Sequence, residues 1–238
     1  MFKREHHIRI ATVLQALDAN LLSEHACLFG GGTAIVLSHG EYRESIDVDF
    51  LTSDRAGYQA LRQLLTEHGM KAITRAGMEL TPAREIRADQ YGVRTMLRVA
   101  KEEIKFELVL EGRIQFDKPL HSERICGVSV LTSIDMAASK LLANSDRWSD
   151  DAVFSRDLID LAMLCLPRPS LIIAIKKATG AYGNSIERDL EKAIRLLGER
   201  KGRLEDCMTA LKMDGIPKAL LWKRIRDLKK AIKGGNNT

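Results

Sequence analysis

Residues 29–50 read FGGGTAIVLSHGEYRESIDVDF, and this stretch decides the fold of the N-terminal half. A short apolar run that ends in glycines predicts a strand and a turn, and the next apolar run predicts a short helix beginning at Thr33. After a polar break, the sequence predicts a second strand that carries Asp47 and Asp49. Side chains two apart on a strand project from the same face, so we expect these carboxylates to converge while Val48 points into a core.

The carboxylates and the glycines together favour binding of a metal ion and a phosphate. Two like charges at this spacing repel each other unless a cation lies between them. Mg²⁺, or Mn²⁺ in its place, takes oxygen ligands and keeps positions open for substrate phosphates. Gly31 and Gly32 allow backbone N–H groups to approach an anion, at the positive end of the following helix. Each half alone has a plainer interpretation, as an exposed strand end or a flexible turn, but their order predicts a nucleotidyl-transfer site.

Three polar residues flank this site and have two interpretations each. The hydroxyl of Thr33 binds a phosphate or caps the helix that begins there. Arg43 holds a phosphate or forms an exposed salt bridge with an acid. Ser45 falls on the same face of the predicted strand as the two aspartates, so it is a candidate for binding phosphate or supporting the metal ligands.

The block resembles the nucleotidyltransferase superfamily related to DNA polymerase beta, and within it the abortive-infection toxins of the AbiEii/AbiGii type. The residues that carry the resemblance are Gly31, Gly32, Thr33, Arg43, Ser45, Asp47, Asp49 and Phe50. It implies an α+β fold, in which a polymerase-beta-like core with a small mixed sheet flanked by helices precedes a C-terminal helical domain. It also implies a Mg²⁺-dependent enzyme that uses an NTP. Members are commonly toxins of toxin–antitoxin or phage-defence pairs, and some modify the acceptor end of tRNA.

Glu107 is a candidate third carboxylate. It lies in a run whose apolar residues alternate from Ile104 to Leu110, which leaves Glu107 on the opposite, polar face. An antiparallel strand beside the one that carries Asp47 would bring Glu107 to the metal site, where it would hold a second ion or orient the attacking hydroxyl. The alternative is a solvent-facing charge next to Lys105. The wider superfamily usually has Asp here.

Two further candidates come from the resemblance. A lysine in the context of Lys140 supports the NTP in the family, whereas the spacing alone favours a surface helix lysine. The Arg156-Asp157 pair followed by Asp160 matches the toxin branch, and Asp157 is carried over as a catalytic or site-organising residue. The plain alternative is that Asp157 lies near the positive end of a helix dipole. We interpret Asp160 as structural.

Composition predicts an ordinary globular protein in two domains, a catalytic core over 1–131 and a helical domain over 132–238. The 238 residues include four scattered cysteines, which we expect to be buried free thiols in a reducing cytosol. No stretch is apolar for long enough to cross a membrane, and the first residues lack a secretion signal. These features predict a cytoplasmic protein without a membrane partner.

The net charge of +5 is concentrated at the C-terminal end, where residues 201–238 hold ten Lys/Arg and four Asp/Glu. A terminal helix over Lys218–Lys233 would carry basic residues beside an apolar stripe. We expect it to be either a solvated face or a surface for an RNA backbone or an acidic antitoxin. From the glycine-to-dicarboxylate block and the resemblance, the leading hypothesis is transfer of NMP from an NTP to a hydroxyl of RNA, with tRNA as the acceptor that the resemblance implies. Its rivals are transfer to a small molecule or protein hydroxyl, and a catalytically silent module that binds nucleotide or antitoxin.

Overall fold

The computed structural model describes residues 2–232, and the chain divides into two compact units. The first unit comprises Met1–Glu41 and Ser45–Thr132, and the second comprises Tyr42–Glu44 and Ser133–Thr238. The predicted boundary after residue 131 lies one residue before this division. The short segment Tyr42–Glu44 leaves the first unit just ahead of the aspartates and groups with the helices.

Eight strands are found in the described part of the first unit. They are β1 (Leu28–Phe29), β2 (Val48–Thr52), β3 (Thr81–Pro82), β4 (Arg87–Ala88), β5 (Gly92–Val99), β6 (Glu102–Leu110), β7 (Arg124–Ile125) and β8 (Val128–Ser129). The main sheet has the order β1-β2-β6-β5-β3, with β4 also beside β5, and β7 pairs with β8 separately. The pair β2–β6 is parallel, and the other pairs are antiparallel. The small mixed sheet and the α+β class are confirmed.

Two alternating runs, over 93–99 and 103–110, predict a hairpin, and the pairing of β5 with β6 confirms it. The predicted antiparallel neighbour of the aspartate-bearing strand is wrong, because β6 runs parallel to β2. Alternation of apolar and polar residues predicts which face of the sheet each residue occupies, but it does not indicate whether neighbouring strands are parallel or antiparallel. The parallel arrangement still brings Asp49 and Glu107 into register.

The first unit packs helices and a 3₁₀ turn with its sheet. The helices are α1 (Glu5–Ala16), α2 (Ala19–Glu24), α3 (Gly31–Ser38) and α4 (Arg55–His68), and the 3₁₀ turn is Gly69–Ile73. Three aromatic rings on neighbouring strands form the centre of the core: Phe50 lies 5.5 Å from Phe29 and 5.9 Å from Phe106 between ring centroids. All three are fully buried. Tilted aromatic contacts of this kind add to the free energy gained from burying the rings, so they fix β1, β2 and β6 side by side.

Two boundaries next to the candidate site differ from prediction. The helix α3 begins at Gly31 and not at Thr33, so two of the glycines belong to its first turn. The strand β2 begins at Val48, so Ser45 and Asp47 precede it. The expected alternation of Ser45, Asp47 and Asp49 along one strand face is therefore wrong for the first two.

The second unit is helical. Its helices are α5 (Ser133–Arg147), α6 (Arg156–Met163), α7 (Arg168–Tyr182), α8 (Ser185–Glu199), α9 (Arg203–Ala210) and α10 (Lys218–Ile232). The helical periodicity over 186–211 predicts a single helix, but the chain turns between α8 and α9 at Gly202, whose φ of +82° suits glycine. No helix among residues 2–232 is long and apolar enough to cross a bilayer. The sequence predicts disorder over 234–238; these residues, like the basic Lys233, lie outside the described residues.

The four cysteines are free thiols, as predicted. Cys27 and Cys207 are buried, whereas Cys126 is half-buried and Cys165 is exposed. The expectation of burial is therefore wrong for Cys165. Its backbone takes a positive φ at the end of α6, where the chain leaves the helix for the surface.

Candidate functional site

The turn between β1 and α3 is built around the carboxylate of Asp49. The backbone N–H of Gly30 donates to the Asp49 carbonyl at 2.9 Å. Gly31 has a φ of +66°, and a Cβ placed on it would lie 2.3 Å from Asp49 Oδ2. Any side chain at this position would therefore collide with the carboxylate as well as strain the backbone. Glycine is required here because Asp49 lies directly against the first turn of α3.

The first turn of α3 offers backbone donors to an anion. The N–H groups of a helix's first turn have no partners within the helix, and the helix dipole adds positive potential there. Gly31 and Gly32 are both partly exposed, while the following residues from Thr33 to Leu37 are buried. The apolar body of α3 thus anchors the helix and leaves its N-terminal glycines open to solvent.

Asp47 lies in the segment just before β2 and is held through its backbone. Thr33 Oγ1 donates to the Asp47 carbonyl at 2.5 Å and lies 2.8 Å from Ser45 Oγ. Thr33 is fully buried. Its hydroxyl therefore organises the loop that precedes β2. The Asp47 side chain itself is only partly buried.

Glu107 faces the same side of the sheet as Asp49, since register partners on paired strands project together. Its carboxylate is already engaged: Lys105 Nζ lies 2.7 Å from Oε2, and Arg94 Nε lies 3.2 Å from Oε1. Lys105 is therefore a charged neighbour of Glu107, as the alternative interpretation expects. The Glu107 side chain retains 17% exposure, so it is accessible from solvent.

The residues present fit a metal held by two carboxylates and not by a complete protein cage. Among residues 2–232, no group of three or more His, Cys, Asp or Glu side chains is arranged to hold a metal ion. Asp47 and Asp49 supply oxygen donors, the type that a hard divalent cation prefers. Such an ion commonly keeps several positions for water and substrate phosphates, and the glycine turn beside Asp49 is partly exposed to solvent.

The predicted residues of the second unit form a buried ionic cluster. Lys140 Nζ lies 2.9 Å from Asp157 Oδ1 and 2.8 Å from Asp160 Oδ2. Arg43 donates to both oxygens of Asp160 at 2.7 and 2.8 Å, and Arg147 donates to both oxygens of Asp157 at 2.7 and 3.0 Å. Bidentate pairs of this kind are strong and geometrically specific. We call these five residues the ionic cluster.

The ionic cluster is charged despite its burial. Burial opposes ionisation of Asp160 and Asp157, but the neighbouring cations outweigh it and lower the pKa of both carboxyls. Burial likewise opposes the charged form of Lys140, but Asp160 and Asp157 outweigh it and raise its pKa. Removing one member of such a network leaves an uncompensated buried charge. The cluster therefore has a structural role.

Three predicted site residues belong to the ionic cluster. Lys140 is 7% exposed and pairs with two carboxylates. Arg43 is also buried, and its third nitrogen, Nη1, donates to the Glu44 carbonyl at 2.7 Å. Because its acid partner Asp160 is buried, the alternative of an exposed salt bridge is wrong. Asp157 is 2% exposed, and its carboxylate is bound by Lys140 and Arg147.

Sequence reasoning missed Arg147, Tyr42 and His7. Arg147 completes the ionic cluster, and the Tyr42 hydroxyl donates to Asp160 Oδ1 at 2.7 Å. His7 is fully buried and contacts the loop that precedes Asp47. None of the three belongs to a motif. Only the adjacency of Tyr42 to Arg43 gave a signal in the sequence.

Comparison with known proteins identifies a sequence family and a similar fold. The sequence model of the family "Nucleotidyl transferase AbiEii toxin, Type IV TA system" matches residues 12–231. The structure is similar to a crystal structure of a candidate nucleotidyltransferase from H. pylori, with a TM-score of 0.50 and 18% identity over 98% of this chain and 97% of that one. At that identity the likeness shows the fold alone. No curated protein matches the sequence. Because the family match spans nearly the whole chain, the protein belongs to the AbiEii family of nucleotidyltransferase toxins of type IV toxin–antitoxin systems.

Proposed function

We propose that the protein transfers NMP from an NTP to an acceptor hydroxyl on RNA, most specifically on tRNA, in a Mg²⁺-dependent reaction. The observation that carries this proposal is the contact between Asp49 and Gly31, which leaves no space for a Cβ. It places a carboxylate against backbone donors that suit a phosphate. Family membership also implies an antitoxin partner.

The chain's own residues would bind the triphosphate of the NTP in two ways, through a cation and through backbone N–H groups. Asp47 and Asp49 would hold the cation, and the N–H groups of Gly31 and Gly32 would hold phosphate oxygens. When bound, Mg²⁺ neutralises charge on the triphosphate and withdraws electron density from the phosphorus under attack. Thr33 and Ser45 would act through the backbone of Asp47, whose carbonyl Thr33 already binds.

Glu107 stays in the proposal as the group that orients the acceptor hydroxyl. Its register with Asp49 supports this role, and its carboxylate is exposed enough to accept a proton or a hydrogen bond. Lys105 and Arg94 pair with its two carboxylate oxygens and hold the side chain in place. Lys140 and Asp157 have no contact with nucleotide in this proposal.

The basic residues of α10 support an RNA acceptor. Leu221, Ile225 and Leu228 bury one side of the helix. The exposed side chains include Lys223, Arg226, Lys229 and Lys230. Basic residues that neutralise phosphates supply affinity that does not depend on sequence, which suits a long polyanion better than a small acceptor.

The test is incubation of the protein with α-³²P-labelled NTPs, Mg²⁺ and total RNA. We expect label in RNA with the wild-type protein, none with Asp49→Asn, and loss of the label after nuclease treatment. Omission of Mg²⁺ should abolish labelling. Equal labelling by wild type and Asp49→Asn would reject the catalytic assignment, and a nuclease-resistant product would reject RNA as the acceptor.

A further inference from the structure

A buried histidine lies next to the candidate site and has two defined partners. His7, on α1, is fully buried. Its Nδ1 lies 2.8 Å from Glu41 Oε1, and its Nε2 lies 3.2 Å from the backbone nitrogen of Ser45. Both ring nitrogens are therefore engaged, one by each of the two residues that flank the segment Tyr42–Glu44.

These partners fix the protonation of the ring. A backbone N–H can only donate, so His7 Nε2 must accept from Ser45, and the ring proton must lie on Nδ1. That proton is donated to Glu41, which also accepts from the backbone N–H groups of Lys3 at 2.8 Å and Arg4 at 3.1 Å. Burial lowers the pKa of His7, and the opposing attraction of Glu41 does not reverse this shift. The neutral Nδ1–H tautomer is thus the form that fits.

The hydrogen bond to Ser45 continues towards Asp47. The Ser45 hydroxyl contacts Thr33 Oγ1, which donates to the Asp47 carbonyl. His6 Nε2 also lies 3.1 Å from the carbonyl oxygen of Ile46. Residues 45–47 precede β2 and have no ladder partners in the sheet. Side chains of α1 and α3 therefore supply the hydrogen bonds that a strand would obtain from its neighbour.

We propose that His7 is a positioning residue: its neutral Nδ1–H tautomer holds the Ser45 amide and thereby sets the backbone from which the Asp47 carboxylate projects. The role of Asp47 rests on the function proposed above. A metal ligand displaced by about 1 Å can cost roughly 100-fold in rate. His7 acts on the reaction through Ser45, Thr33 and Asp47 without touching the substrate.

Two substitutions separate positioning from general stability. His7→Gln places a carbonyl oxygen near the position of Nε2 and keeps an acceptor for Ser45. His7→Asn places an amide N–H near the position of Nδ1 and keeps only the bond to Glu41. Each variant loses one buried hydrogen bond, so we expect similar losses of thermal stability. We expect kcat to fall about 10- to 100-fold in His7→Asn and only a few-fold in His7→Gln, with KM for the NTP little changed in both.

A second measurement is independent of activity. Long-range ¹H–¹⁵N spectra of ¹⁵N-histidine-labelled protein report which ring nitrogen carries the proton, and the His7→Gln spectrum assigns the His7 signals. We expect the Nδ1–H tautomer at pH 7, and slow hydrogen exchange at the Ser45 amide that is lost in His7→Asn and retained in His7→Gln.

The spectra and the kinetics can each overturn the inference separately. An Nε2–H tautomer, or equal Ser45 exchange in the two variants, would overturn it whatever the activity. Equal kcat losses in the two variants of an active enzyme would also overturn it, since that pattern belongs to a merely structural residue. If wild type shows the expected tautomer and exchange but transfers no nucleotide, the proposed function is rejected. The hydrogen bond from the Ser45 amide to His7 would then remain established.

Discussion

Asp47 and Asp49 in the first unit and Asp157 and Asp160 in the second are both closely spaced carboxylate pairs, yet their surroundings differ. Asp157 and Asp160 are 2% and 0% exposed and are bound by lysine and arginine. Asp47 and Asp49 are partly exposed, and Asp49 abuts a glycine turn. Carboxylates compensated by buried protein cations hold the fold together. Carboxylates placed beside open backbone donors lie where a ligand can reach them. Burial, and not spacing, distinguishes the two pairs.

Among the changes to the two carboxylate pairs, neutralising Asp49 should have the largest effect on nucleotidyl transfer. Asp49→Asn keeps the shape of the side chain and removes the charge that would hold the cation. We expect nucleotidyl transfer to fall by about 10³-fold or more, as loss of several kcal/mol of transition-state stabilisation implies. The thermal unfolding midpoint should stay within a few degrees of wild type. Transfer at the wild-type rate would place the metal elsewhere.

The matching change in the second unit is Asp160→Asn, which should act on stability. It leaves Arg43 and Lys140 buried without their shared carboxylate. We expect the free energy of unfolding to fall by about 3–5 kcal/mol, measured by denaturant titration. The fraction that remains folded should still transfer nucleotide. A stable but inactive Asp160→Asn protein would contradict the structural role and place Asp160 in the active site.

Gly31→Ala tests the close approach of the glycine turn to Asp49, and Gly40→Ala is its matched control. Both positions have positive φ, but only at Gly31 would the new Cβ meet the carboxylate. We expect each substitution to cost about 1–2 kcal/mol of stability from backbone strain. Activity should fall roughly 100-fold in Gly31→Ala alone, because displacement of Asp49 disturbs the geometry of the reacting groups. Similar activities in both variants would remove the reason for glycine at position 31.

Acid pH should weaken the ionic cluster. The pKa values of Asp157 and Asp160 are lower in the folded protein than the ordinary 3.8. Their contribution to stability is therefore full above about pH 4 and is lost as the pH falls towards the folded values, because the unfolded chain binds those protons first. Between pH 4 and 2 we expect the free energy of unfolding of wild type to fall more steeply than that of Asp160→Asn. Parallel slopes would show that Asp160 is not ionised in the fold.

Much of the first unit was predictable because its signals are local. Each signal specifies a turn or a strand face from a few neighbouring residues. These signals are the glycine run, the two aspartates and the alternation around Glu107. Strand direction was missed, since the parallel pairing of β2 with β6 depends on residues more than fifty positions apart. The hydroxyls of Thr33 and Ser45 were candidates for binding phosphate, because their contact with each other and the bond from Thr33 to the Asp47 carbonyl cannot be predicted from sequence.

The second unit shows more clearly which contacts could not be predicted from the sequence. Arg43 and Asp160 are 117 positions apart and meet only in the folded chain. Lys140 and Asp157 became candidates through the family resemblance, and their burial could not be predicted because the charged residues of a helical sequence do not indicate whether they are buried. His7 gave no signal at all, since a buried histidine that accepts from a backbone amide has no characteristic spacing.

The most direct test of the central claim is a titration with Mn²⁺ in the presence of a non-hydrolysable NTP, followed by electron paramagnetic resonance. Wild type and Asp160→Asn, kept at a temperature where both are folded, should bind Mn²⁺ with similar affinity, and Asp47→Asn and Asp49→Asn should each bind it at least about tenfold more weakly. Undiminished Mn²⁺ binding by both Asp47→Asn and Asp49→Asn would contradict the account, because the cation would then have other ligands.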